Sequence, residues 1–354
     1  MQQLLVKILL YPFSILYGLG VSIRNKLYDK GLLREVRFDV PVISVGNLSV
    51  GGAGKTPHIE YLITLLRQYI NVATLSRGYK RKTAGYLQVQ PQHRATDVGD
   101  EPLQYKRKYP ETMVTVAESR SLGIPQLMMQ RPDTQVILLD DAFQHRAVKP
   151  YQNILLTEYG HPFTDDILLP AGRLREQPEA YKRADVIVVS KCPPQLSEAD
   201  RQQMLAKLQP YPHQQVFFSY YDYGHPYFMF NGYYRYPLIG DTDVLLVSAI
   251  ANTEYMERYL GTKAKSIKAL EYADHHFFDE YDLGDIKKQF DAIASDKKII
   301  ITTEKDAMRL ERFYGYIQEH KLPIYLLPVK VNFHFDEKVA FDQYIKDKLM
   351  AFKV

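Results

Sequence analysis

At 354 residues, 46% of them hydrophobic, the chain is long enough for two domains with a core each. Its net charge of only +4 argues against a dedicated nucleic-acid binder. The single cysteine, Cys192, excludes an intramolecular disulfide framework and fits a reducing compartment.

The charge is unevenly placed. Residues 1–40 hold six Lys/Arg against three acids, a net +3 of the total +4. Within them, Ile8 to Ile23 is a 16-residue run without charge, ILLYPFSILYGLGVSI, interrupted by Pro12, Gly18 and Gly20. A spanning helix needs about 20 apolar residues, so this run is short and broken for one. No small-residue cleavage site follows that would mark a secretory signal. With its basic flank from Arg24 to Arg37, the segment reads as an interfacial anchor on an anionic membrane surface. The alternative is a core helix packed on the domain that follows.

That domain opens on PVISVGNLSVGGAGKTP, Pro41 to Pro57. An apolar strand ends at Val45, a glycine-rich loop follows, and TPHIEYLITLLRQY has apolar residues at helical spacing. Strand, glycine loop, Lys-Thr and helix is the layout of a phosphate-binding P-loop. Glycines let successive N–H groups turn around phosphate oxygens, and the helix N-terminus adds its dipole. Ser49, Val50, Gly51, Gly52, Ala53, Gly54, Lys55 and Thr56 are the expected nucleotide-binding residues. Lys55 would reach the outer phosphates and the Thr56 hydroxyl a Mg²⁺ ion. Ser49 stands where the general motif has glycine. Without a nucleotide, the same string would be a glycine-rich turn after a strand.

Strands are predicted next at Val72–Leu75, Met113–Val116, Val136–Leu139, Asn153–Thr157 and Val186–Val189, with helical stretches between them. This alternation predicts an α/β fold, a P-loop NTPase-like parallel sheet flanked by helices, over residues 41–215. Chemistry in such sheets gathers at the carboxyl ends of the strands. The aromatic run Val216–Tyr236 reads as a β-hairpin linker turning at Asp222-Tyr223-Gly224-His225. Strands near Val244–Val247, Lys298–Ile301 and Ile324–Leu327 then predict a second, smaller α/β unit over 237–354.

Polar residues follow the predicted strand ends. Asp140 and Asp141 end an apolar strand, where an acid after a P-loop is the expected second Mg²⁺ contact. Adjacent strand residues face opposite sides, so the pair can split roles. Gln144, His145 and Arg146 follow and could reach phosphate or sugar. Arg173, Arg175 and Glu176, in LPAGRLRE, form a cluster suited to anionic substrate oxygens, or an ordinary solvated loop. Asp100 and Glu101 lie in a turn-like VGDEP. Asp274-His275-His276 lacks a matching zinc-spaced ligand set.

The strings VGNLSVGGAGKTP, SRGY, VGDEP, AESR, LDDAFQHR, LPAGRLRE, ADH and TEKDA, in this order, resemble the tetraacyldisaccharide 4′-kinase family of Gram-negative bacteria. The family shares the Ser at the Ser49 position. The resemblance implies ATP- and Mg²⁺-dependent phosphorylation of the 4′-hydroxyl of an acylated glucosamine disaccharide 1-phosphate, giving lipid IVA. It implies a peripheral enzyme at the cytoplasmic face of the inner membrane, with no nucleic acid and no obligate protein partner. It assigns Asp100 as catalytic base with His275 its partner, His276 standing next door, and adds Lys55 and Arg120 to the catalytic set. Asn47, Arg77, Gln144, His145, Arg173 and Arg175 would contact substrate. Glu176 would join Thr56, Asp140 and Asp141 at the metal.

The rival class is a membrane-associated GTPase switch. Such proteins read guanine with an Asn/Thr-Lys-x-Asp loop. Ser190-Lys191-Cys192-Pro193 lacks the Asp and Glu304-Lys305-Asp306 lacks the intervening residue. An ATP-dependent ligase on a similar fold stays open from the loop alone, but it does not account for the lipid-facing N-terminus.

Overall fold

The computed structural model describes residues 2–353. Chain order gives β1 (Val42–Asn47), β2 (Val72–Ser76), β3 (Leu87–Gln88), β4 (Met113–Val116), β5 (Val136–Asp140), β6 (Gln152–Glu158), β7 (Val186–Ser190) and β8 (Gln215–Tyr223). There follow β9 (Tyr227–Phe228), β10 (Asn231–Arg235), β11 (Asp243–Ser248), β12 (Ser266–Glu271), β13 (Lys298–Thr303), β14 (Ile324–Leu327) and β15 (Val329–Phe333). They form a nine-stranded sheet in the order β15-β8-β7-β6-β1-β5-β2-β4-β3 and a six-stranded sheet in the order β10-β9-β14-β13-β11-β12.

The central strands of the first sheet are parallel and buried on both faces, which is why they read as unbroken apolar runs. Ile43 and Val45 face one core with Ile59, Leu62, Ile63 and Leu66 of helix α2 (Lys55–Leu66), whose i, i+3, i+4, i+7 spacing makes one stripe. On the other face Leu155, Ile187 and Val189 pack with Phe163 and Phe218. The second sheet has its own core around Leu245, Val247, Phe278, Ile286 and Ile300.

The aromatic run 216–236 divides between the sheets. Its first part is β8, parallel to β7 and antiparallel to β15. Only its second part, β9 with β10, is a hairpin, and that hairpin lies on the edge of the six-stranded sheet. The chain then returns. β15 closes the edge of the nine-stranded sheet, and the helix Glu337–Met350 sets Phe341 and Ile345 into the core behind α2. These residues were expected with the smaller unit. A strand edge beside β8 and an aromatic cluster of Tyr61, Phe217, Phe333 and Phe341 draw them back.

At the N-terminus the expected break is absent. Helix α1 runs unbroken from Gln2 to Asp29 with Pro12 inside it. Nor is it a core helix, since Leu9, Phe13, Leu16 and Leu19 are exposed. One face docks: the Ser14 hydroxyl donates to Leu168 O at 3.0 Å, the Tyr17 hydroxyl to Arg175 O at 2.9 Å, and Asn25 Nδ2 to Glu176 Oε2 at 2.9 Å. Gly18 lets the helix close on Leu168, where a side chain would collide.

The turn out of β1 needs a close approach too. A Cβ on Gly46 would stand 2.7 Å from Phe143 Cβ and 2.8 Å from its backbone nitrogen. The backbone cannot swing away as a side-chain tip can. Gly46→Ala is therefore expected to lower stability by about 1–3 kcal/mol, read as an earlier urea midpoint. An unchanged midpoint would contradict the packing described.

Candidate active site

The loop between β1 and α2 is fixed from three sides. Gly54, at φ 88°, occupies the left-handed region that favours glycine, with the Tyr221 hydroxyl against it. His58 Nδ1 donates to Gly54 O at 2.7 Å, and its Nε2 lies 3.0 Å from the Ser219 hydroxyl, which donates to it. A carbonyl only accepts, so the neutral ring must carry its proton on Nδ1. Burial lowers the His58 pKa to about 4. On the third side, Val50 N donates to Arg173 O and Arg175 N to Leu48 O, both at 2.7 Å. The loop is preorganised by its neighbours.

Lys55 Nζ donates to Asn47 Oδ1 at 3.0 Å and stands 3.7 Å from Asp141 Oδ1. Arg175 reaches the same two acceptors, Asn47 Oδ1 at 2.8 Å and Asp141 Oδ1 at 2.9 Å. Two cations therefore converge beside the glycine loop. Gln144 braces them, donating to Asn47 O at 3.0 Å and accepting from Arg175 at 3.1 Å. Arg120 lies below, donating to Asp140 O at 3.1 Å, and its backbone N–H donates to His145 Nε2 at 3.2 Å. Burial brings Arg120 down to about 10, so it stays charged at neutral pH. Burial, with the Arg120 charge next, lowers His145 to about 4.

The two aspartates part as expected of adjacent residues. The Asp140 carboxylate is buried and accepts from the Tyr105 hydroxyl at 3.0 Å; burial and the Asp141 charge raise its pKa. Burial also pushes Asp141 up, but Lys55 and Arg175 outweigh it and hold it below its usual range. Thr56, Asp140 and Asp141 line one cavity of about 920 Å³ with the glycine loop. Arg77, Gln144, His145 and Arg175 line it too, while Tyr17, Val21 and Arg24 bring α1 to its wall.

One expected residue leaves the site. Arg173 turns its guanidinium to Asp166 at 2.8 Å, since its backbone is committed to the glycine loop. Glu176 lines the cavity from the same loop, buried, with one carboxylate oxygen paired to Arg183 at 2.8 Å and bonded to Asn25 at 2.9 Å.

The six-stranded sheet supplies the facing wall. His275, at φ 56°, places Nδ1 at 3.1 Å from Asp100 Oδ2. Arg309 Nη1 reaches the same carboxylate at 3.1 Å. Burial works to raise Asp100, but Lys305, His275 and Arg309 outweigh it and hold the group well below the usual carboxylate range. Glu101 goes the other way, raised to about 7 by burial and then by the Asp100 charge. His276 looks elsewhere, to Asp282 at 2.7 Å, with its ring stacked on Tyr272. Asp100 itself is buried one side chain behind the cavity; Glu101, Asp274, His275 and Lys305 line it. Tyr105, Lys305 and Arg309 carry no motif role in the sequence reading. TEKDA was visible as a string, but nothing in it shows which wall it lines.

A model of the family described as Tetraacyldisaccharide-1-P 4′-kinase matches residues 6–350. The chain is 44% identical over 347 residues to a tetraacyldisaccharide 4′-kinase of Bacteroides thetaiotaomicron, covering 95% of this chain and 91% of that one. The chain belongs to this kinase family. A second family member, from Flavobacterium johnsoniae, is 44% identical over 352 residues, covering 98% and 99%. Among solved structures, the "apo" form of LpxK from Aquifex aeolicus in complex with ATP superposes with a TM-score of 0.73 at 30% identity, covering 97% of this chain and 99% of that one.

Neutral buried histidines make the kinase's stability depend on pH. His58 titrates at 6.5 when exposed and at about 4 when folded. The unfolded chain therefore binds protons the folded one refuses, so this stability is complete above pH 6.5 and is lost as pH falls toward 4. The loss from His58 is on the order of 2–3 kcal/mol. His145 acts in the same direction. Urea unfolding at pH 7 and pH 4.5 is expected to show a smaller drop for His58→Gln than for the wild type. An equal drop would remove His58 as the cause.

Proposed function

We propose that this chain transfers the γ-phosphoryl group of ATP to the 4′-hydroxyl of tetraacyldisaccharide 1-phosphate, forming lipid IVA. The observation that carries the reading is the single cavity shared by the glycine loop, the strand-end aspartates, the second sheet and the apolar helix α1. A P-loop alone fits many phosphotransferases; one whose cavity wall is built partly by a lipid-facing helix fits an acylated acceptor. The GTPase alternative has no comparable support.

In this reading, backbone N–H groups of Val50–Gly54 and Lys55 hold the β- and γ-phosphates. Arg120 and Arg175 neutralise charge that spreads over the transferring oxygens. Thr56, Asp140 and Asp141 offer hard oxygen donors only, which suits Mg²⁺, and the bound ion would neutralise phosphate charge. The acceptor oxygen forms a bond to the γ-phosphorus as the bond to the β-phosphate oxygen breaks. ADP leaves, and the hydroxyl proton passes to the Asp100–His275 pair, of which His275 lines the cavity and Asp100 stands behind it.

For the membrane, the docking of α1 supports lying over spanning. Ser14 through Asn25 is tied to the body of the protein by hydrogen bonds to Leu168, Arg175 and Glu176, which this stretch would have to give up or carry into lipid to cross a bilayer. We therefore read α1 as lying in the interface of the cytoplasmic leaflet, although Val6–Asp29 is by length and composition apolar enough to cross.

Labelled γ-phosphate is expected on tetraacyldisaccharide 1-phosphate with ATP and not with GTP; labelling of some other lipid instead would overturn the substrate. Lys55→Ala should abolish turnover in a folded protein, and near-normal activity would refute the P-loop assignment. The docked face can be spared while the exposed one is charged: Leu9→Glu with Leu16→Glu should reduce sedimentation with anionic vesicles and raise the KM for lipid. Unchanged sedimentation would refute the interfacial role.

A further inference from the structure

We infer that Lys305 is a positioning residue of this kinase: its ammonium fixes which nitrogen of His275 carries the proton, and so fixes the carboxylate that His275 presents. The inference rests on the reading of Asp100 and His275 as the acid–base pair. It deepens that reading by adding a residue from the six-stranded sheet, on the same wall as His275.

Lys305 is the second residue of the helix Glu304–Leu310, directly after β13. Its Nζ stands 3.0 Å from His275 Nε2 and 2.9 Å from Glu101 Oε1. An ammonium has three donors and no acceptor, so a 3.0 Å contact to an imidazole nitrogen requires a lone pair there. His275 Nε2 is thereby the acceptor. The neutral ring's proton sits on Nδ1, which donates to Asp100 Oδ2. That is the tautomer the pair needs: with the proton on Nε2, Nδ1 would turn a lone pair toward the Asp100 carboxylate.

Asp100, an ionised carboxylate that only accepts, favours this tautomer from the Nδ1 side, and Lys305 secures it from the Nε2 side; the remaining neighbours of the ring do not act on the choice. Lys80 Nζ donates to the His275 carbonyl at 3.1 Å, and the Tyr79 ring stands edge-on at 4.8 Å. Asp274 lies 3.9 Å from Nε2 and Glu101 3.8 Å, beyond hydrogen-bond distance. Arg309 acts on Asp100 and not on the ring. Asp100, Glu101 and His275 also stand close enough together to hold a cation, but the Lys305 ammonium already fills that role with its own charge. Burial works against the ammonium, yet Glu101 and Asp100 outweigh it and raise its pKa. Lys305 is in turn the strongest influence holding Asp100 low.

The test uses the full-length protein and begins with the wild type. Nitrogen–proton correlation spectra of the histidine rings, with His275 assigned by its loss in His275→Gln, should show the Nδ1–H tautomer. An Nε2–H tautomer in the wild type would overturn the inference without any variant. Lys305→Met keeps the aliphatic stem and removes the charge. It should lose the single tautomer, lower kcat at least tenfold and leave the KM for ATP within twofold. Because Asp100 loses the cation that holds it low, the acid limb of the kcat/KM profile should move to higher pH. Lys305→Arg, which also only donates, should keep the tautomer and the wild-type limb. An Nδ1–H ring and an unshifted limb in Lys305→Met would overturn the role. A fully active Asp100→Ala would instead remove the acid–base reading, while the tautomer measurement would still report on Lys305.

Discussion

The site depends on two strands ending side by side. β1 pairs in parallel with β5 so that Val45 is in register with Asp140. The glycine loop leaves β1 and the aspartate pair leaves β5 at the same level of the sheet. Because β1 also pairs with β6, this is where neighbouring connections depart in different directions and open a crevice. A slip of one residue between β1 and β5 would turn Asp140 and Asp141 onto exchanged faces and separate Asn47 from Asp141. The shared acceptors of Lys55 and Arg175 exist only in this register.

Concentrating charge there has a structural cost that the surroundings absorb. Gly54, Asp141, Lys191 and His275 all hold positive φ, and three of these four are not glycine. Each is pinned by several partners: Asp141 by Lys55 and Arg175, Lys191 by Glu158, His275 by Asp100, Lys305 and its own backbone bond to Ala249 O. At these positions the backbone bends aim side chains into the cavity, and the buried sheet beneath holds them.

How much was legible follows from how local each signal is. The P-loop was readable because strand, glycines, Lys55, Thr56 and helix are contiguous, and the strands were readable as apolar runs. The Asp100–His275 pairing came through family resemblance and not through pattern, since no local rule links residues in different sheets. Arg173 was misplaced for the same reason. LPAGRLRE is charged in sequence, but whether a charge faces the cavity depends on Arg183, Asn25 and Asp166, which lie elsewhere in the chain. The return of β15 to the first sheet was hidden because an edge strand's partner is set by which edge lies open.

The two sheets communicate through more than the acid–base pair. Lys108, on the helix Asp100–Lys108, lies 2.6 Å from Glu60 of α2 and 2.7 Å from Glu304, which opens the helix carrying Lys305. Tyr227 of β9 donates to the other Glu304 oxygen at 2.8 Å. Burial raises Glu60 to about 7, so Lys108 is what keeps two carboxylates tolerable in one buried place. A displacement of α2 at the phosphate site would be felt at Glu304, and through one residue of helix at Lys305. The helix that follows the glycine loop and the helix that carries Lys305 thus share a cation. The glycine loop and the Asp100–His275 pair are therefore two ends of one packed unit, although they draw on different sheets.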